Sequence, residues 1–88
     1  MKEFCHTLKG KYGLHARPAG MLSTAARGFE SDITVYNGEK AANCKRILSV
    51  MSLGAVCGTE IRFVIEGNDE EAAEKALKEF CQNQLDKE

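Results

Sequence analysis

The run Gly13-Leu14-His15-Ala16-Arg17-Pro18-Ala19-Gly20 places a histidine, an arginine and a proline within four residues, between two glycines. Gly13 suits a tight turn out of a preceding strand. Pro18 has a fixed φ and no N–H to donate, so it fits the first turn of a helix and little else in one. Together they predict a helix beginning at about Ala16, with His15 half outside it. The first backbone N–H groups there have no intrahelical partner, and the helix end carries a partial positive charge that accepts an anion. These surroundings, with Arg17 alongside, favour a neutral, nucleophilic imidazole. A phosphoryl group on His15 would be met by the N–H groups of Ala16 and Arg17 and by the forked Arg17 guanidinium. The dipole contributes about 0.3–2 kcal/mol, and charge-assisted hydrogen bonds add to it. A histidine taken at random is usually structural or simply exposed; position sets this one apart. The chemistry implied is a phosphohistidine or an anion-binding site.

The elements that must hold this run follow from periodicity. Residues 2 to 8 alternate, with Phe4, His6 and Leu8 on one face and Glu3, Cys5 and Thr7 on the other, which predicts a strand covered on one side. His6 falls on the covered side and reads as a structural, partly buried histidine. A loop over 9–13 leads into the reactive run. The first helix is expected over Ala16 to Arg27, ended by Gly28 in a left-handed conformation, with Ala19, Leu22, Ala26 and Phe29 toward the core. Ile33 to Tyr36 is a second strand, Asn37-Gly38 a tight hairpin turn, and Lys40 to Asn43 the returning strand. Lys45 to Leu53 reads as a short helix closed by Gly54. Its Ile47, Leu48, Val50, Met51 and Leu53 are too many for one buried stripe, so some face solvent and mark a partner site. Thr59 to Glu66 is a fourth strand. A last helix, capped by Asn68 or Asp69, carries acids in its first turn and runs to about Leu85, with Ala73, Ala76, Leu77, Phe80 and Gln84 at helical spacing. The order βαββαβα predicts an α+β fold, a two-layer sandwich whose four-stranded antiparallel sheet is covered by helices on one face. The uncovered face would hold a mixed set, Cys5, Thr34, Tyr36, Arg62 and Val64.

The 88 residues suffice for one domain, 1–88, with one core. With 43% hydrophobic and 28% charged residues, the composition is that of a globular protein. A net charge of -1 favours neither nucleic acid nor an anionic membrane as partner. No apolar run approaches the roughly 20 residues that span a bilayer, and Met1-Lys2-Glu3-Phe4 opens no signal peptide, so a cytoplasmic protein is expected. Cys5, Cys44, Cys57 and Cys81 are scattered and form no C-x-x-C pair, which predicts buried or half-buried free thiols rather than disulfides. A zinc site would need them to converge with His6 or His15, and no metal site is expected.

The G-L-H-A-R-P-A run near the start of a chain of this length resembles the histidine-containing phosphocarrier (HPr) family of the bacterial phosphoenolpyruvate-dependent sugar phosphotransferase system. The likeness extends along the chain: Asn37-Gly38 falls at the family's hairpin, Lys45 to Leu53 at its second helix and Gly67 to Leu85 at its third. It implies the four-stranded open-faced sandwich with three helices. It further implies that His15 accepts a phosphoryl group on Nδ1 from phosphorylated enzyme I and passes it to an enzyme IIA domain, without metal or organic cofactor. Such a chain is a monomeric carrier rather than an independent enzyme. The implied docking surface is Ala16, Arg17, Gly20, Thr24 and Arg27 on the first helix and Ile47, Leu48, Ser49 and Met51 on the second. One departure stands out: where many members carry a regulatory serine after the lysine of the second helix, this chain has Arg46, so serine regulation there is expected to be absent. The competing reading is a regulatory module, of a nitrogen-related or multiphosphoryl-transfer branch, that acts mainly by docking.

Overall fold

The computed structural model of the chain describes residues 1–11 and 13–85; Tyr12, within the loop expected over 9–13, lies outside them. The alternation at the start of the chain forms β1 (Lys2–Thr7), whose Phe4 and His6 are half-buried while Glu3, Cys5 and Thr7 face solvent. Leu8, just beyond it, is buried. After the reactive run, α1 (Ala16–Arg27) has the bounds that Pro18 and Gly28 predict. The hairpin of β2 (Asp32–Asn37) and β3 (Lys40–Asn43) is followed by α2 (Ile47–Met51), β4 (Glu60–Glu66) and α3 (Glu70–Asn83). All strand pairs are antiparallel, in the order β1-β4-β2-β3. Three helices cover one face of this sheet, the α+β open-faced sandwich expected from the element order.

One core lies between the layers. Ile33 and Val35 of β2 and Ile61, Phe63 and Ile65 of β4 meet Leu22 of α1, Val50 of α2 and Leu77 of α3, all almost fully buried. Each such side chain contributes about 1.5–3 kcal/mol by leaving water. Phe4 extends the core outward by stacking on Phe63, with ring centroids 4.8 Å apart. On the uncovered face the mixed set is reconciled by pairing. Tyr36 and Arg62 are register partners, the Arg62 guanidinium sits 4.4 Å from the Tyr36 ring centroid, and it also donates to Glu3 at 3.2 Å.

Four local expectations are corrected. Gly28 is right-handed, at φ -73°, and the helix ends instead by tightening: Gly28 and Phe29 donate to the carbonyls three residues back. The hairpin turn is Gly38-Glu39, because Asn37 still pairs with Lys40; Gly38 takes φ +62° as first central residue, while Asn37 Nδ2 donates to the Leu53 carbonyl. The helix α2 is shorter than Lys45–Leu53, since the Lys45 N–H goes to Asn43 Oδ1 and Arg46 is extended. Asp69 occupies the N-cap position of α3 without capping it; its carboxylate accepts instead from the N–H groups of Glu30 and Ser31 and from the Ser31 hydroxyl. The cysteines also divide differently, with Cys44 and Cys81 buried but Cys5 and Cys57 exposed, all four as free thiols.

Candidate functional site

His15 is the N-cap residue of α1, in extended conformation at φ -85° and ψ -172°, and its carbonyl accepts the Ala19 N–H at 3.0 Å. The ring is half-buried and its Nε2 edge is buried. No acid stands in the first turn of α1, so the positive helix end is not neutralised from within. Ala16 and Arg17 are exposed at that end, and Pro18 is buried beneath them. Among the described residues, the Arg17 guanidinium has neither a carboxylate nor a hydrogen-bond partner, which leaves it available to an incoming anion.

The loop that presents His15 is held from behind. Gly13 adopts φ +64°, and a Cβ there would lie 2.3 Å from the Ala55 carbonyl oxygen and 2.6 Å from Val56 Cα. The Leu14 N–H donates to that same carbonyl at 2.9 Å, and the Gly13 N–H donates to Gly10 at 3.1 Å. The turn after α2 therefore forms the back wall of the reactive loop, and only glycine fits position 13. This contact is between segments some 40 residues apart, and the local pattern around Gly13 carries no signal of it.

The structure brings the two helical parts of the expected docking surface together. Gly20 of α1 faces α2, and a Cβ on it would sit 4.0 Å from Ile47 Cδ1. Ile47 and Met51 are each 38% exposed and Leu48 is 81% exposed, whereas Val50 and Leu53 are buried, so the surplus of apolar residues in α2 does face solvent. Thr24 Oγ1 donates to the Gly20 carbonyl and accepts from Arg27 Nη2 at 3.4 Å, while Arg27 Nε donates to the Ser23 carbonyl. Ser49 is different: it is half-buried, and its hydroxyl accepts the Asn43 N–H at 3.2 Å, tying α2 to the end of β3. Arg46 is the exposed N-cap of α2 and makes no side-chain cap. Residues not foreseen are Ser23, buried in α1 with its hydroxyl donating to the Cys44 carbonyl at 2.9 Å, and Val56, 61% exposed beside Gly13. Burial pushes the Cys44 thiol up to about 12, an effect reinforced by Cys81, so it is an inert core group. Among the described residues no cluster of metal-ligating side chains occurs, and no helix is long and apolar enough to cross a membrane.

Comparison with known proteins places this geometry. The family described as PTS HPr component phosphorylation site matches residues 2–83. The phosphocarrier protein HPr of Mycoplasma capricolum is 42% identical over 79 residues, covering 90% of this chain and 89% of the relative. That of Treponema pallidum is 41% identical, covering 86% of each. A crystal structure of HPr from Thermoanaerobacter tengcongensis superposes with a TM-score of 0.92 at 41% identity, over 100% of this chain and 99% of that one. A second structure from that organism, with a TM-score of 0.76, is of an HPr dimer, so a monomer is not a property to assign from the likeness. Relatives this similar over nearly their whole length make the chain a member of the HPr family of phosphotransferase-system phosphocarriers.

Proposed function

We propose that His15 is the phosphoryl acceptor of this chain, that it is loaded by phosphorylated enzyme I, and that it delivers to an enzyme IIA domain in phosphoenolpyruvate-dependent sugar uptake in the cytoplasm. The observation that carries this reading is an imidazole at the N-cap of a helix whose first turn holds no acid, beside an unpaired arginine. With the Nε2 edge buried, Nδ1 is the nitrogen to which transfer falls. Its lone pair forms the new N–P bond as the N–P bond to the donor histidine breaks. The donor ring keeps that bonding pair and leaves neutral, so no net proton has to move.

As charge shifts onto the phosphoryl oxygens, the N–H groups of Ala16 and Arg17 and the Arg17 guanidinium stabilise it, already oriented and needing no reorganisation. A relay also demands that this stabilisation be moderate, since a group held too tightly would not be passed on. In this reading Gly20, Thr24, Arg27, Ile47, Leu48 and Met51 receive the partners, while Ser49 serves the surface by holding α2 against β3. Residue 46 is not a serine-phosphorylation switch, because it is arginine.

Incubation with phosphoenolpyruvate and enzyme I should add about 80 Da, one phosphoryl group. The adduct should be labile in acid and absent from His15→Ala. An acid-stable adduct, or one that persists in His15→Ala, would refute the assignment.

A further inference from the structure

The net charge of -1 conceals a strong separation of charge. Residues 9–29 and 40–59 contain seven lysines and arginines and no carboxylate, while the rest of the chain carries five cations and thirteen carboxylates. The first stretch holds the reactive loop and α1, the second α2 and the wall behind Gly13. The ion pairs among the described residues, Met1–Glu70, Lys2–Glu71, Arg62–Glu3 and Lys78–Glu74, all lie on β1, β4 and α3. The site face is thus cationic and internally unneutralised.

Arg46 is the member of this set that the fold itself does not require. It stands at the N-cap of α2, where serine, threonine, aspartate or asparagine would satisfy an open N–H and where a positive charge is disfavoured. Its side chain is exposed and has no hydrogen-bond or ion-pair partner among the described residues. The next two residues are the exposed Ile47 and Leu48. A local rule broken without internal compensation, at the border of an exposed apolar group, belongs to recognition rather than to stability.

We propose that Arg46 is a specificity-determining residue that attracts a protein partner whose docking surface is acidic and orients it on the apolar α1–α2 face. The inference rests on the phosphocarrier reading above and adds a permanent charge to its docking step. Such a charge acts mainly on association, speeds it most at low ionic strength and does not alter chemistry once the partner is seated.

The test uses the full chain with purified enzyme I. Transfer from phosphorylated enzyme I is followed for wild type, Arg46→Gln, Arg46→Glu and Lys75→Glu, the last at an exposed cation of α3. At about 20 mM salt, kcat/KM should fall roughly 3-fold in Arg46→Gln and roughly 10-fold in Arg46→Glu, with kcat unchanged. Above about 300 mM salt the differences should nearly vanish. Lys75→Glu should behave as wild type throughout. Arg46→Ser should bind more weakly yet melt about 2–4 °C higher, a combination no purely structural role produces.

Calorimetric binding of unphosphorylated chain to enzyme I separates the two ideas. Arg46-dependent affinity without phosphoryl transfer would sustain the docking role and refute the relay. Equal transfer and equal affinity in Arg46→Glu at low salt would overturn the docking role and leave the relay standing. Arg46-dependent binding to vesicles containing phosphatidylglycerol, with none to enzyme I, would also overturn it.

Discussion

A single side chain does the proposed chemistry, and what surrounds it is mostly backbone. The amides that would receive a phosphoryl group belong to Ala16 and Arg17, whose N–H groups are open because no intrahelical carbonyl precedes them. Arg17 adds the only guanidinium of that turn. The residue on which this arrangement depends most is neither of these but Gly13. Its φ of +64° and the 2.3 Å gap between a hypothetical Cβ and the Ala55 oxygen leave no room for any other residue. Gly13→Ala should destabilise the protein by at least about 1–3 kcal/mol from the backbone conformation alone. The same substitution should slow phosphoryl acceptance by His15 more than it slows that of a variant equally destabilised in the core. Denaturant unfolding and transfer assays on the two variants check this. His15, Arg17 and Pro18 were legible from the sequence because their roles are set by near neighbours. The back wall was not legible, since Ala55 and Val56 reach Gly13 only through the fold.

At the scale of elements, the chain read most clearly where hydrophobic period and breakers agreed. The bounds of α1, the run of β3 and the exposed surplus on α2 followed from spacing that tertiary contacts did not contest. It misled where a polar side chain had two uses. Asn37 looked like a turn residue and instead ties β2 to the end of α2. Asp69 looked like a cap and instead latches the start of α3 to the segment between α1 and β2, through Ser31 and Glu30. The hydrogen bond from the Ser31 hydroxyl, with those from the Glu30 and Ser31 amides, holds the Asp69 carboxyl below its ordinary 3.8. A carboxyl lowered on folding contributes stability that is fully present above its unfolded value and disappears as pH falls through its folded value. Thermal stability should therefore decline below about pH 4 more steeply in wild type than in Asp69→Asn, a variant already less stable at neutral pH. Parallel melting temperatures for the two between pH 6 and pH 2, about the range over which a lowered carboxyl titrates, would show that the latch contributes nothing.

For the molecule as a whole, the division of labour is spatial. One sheet face is closed by helices into a core, the other is sealed by the Tyr36–Arg62 stack, and the ion pairs gather on β1, β4 and α3. What is left unneutralised is the α1–α2 side, where a nucleophilic ring, an open helix end, exposed apolar residues and unpaired cations coincide. The element order and the reactive run were enough to foresee the architecture and the position of the ring. The charge separation is invisible in the net charge and emerges only when the acid-free stretches fold onto one side. The measurement that bears most directly on the account is nuclear magnetic resonance of nitrogen-labelled protein after incubation with phosphoenolpyruvate and enzyme I. It should show one phosphorylated imidazole, that of His15, substituted at Nδ1, with His6 unchanged. Phosphate on Nε2 of His15, on His6 or on a hydroxyl would contradict it.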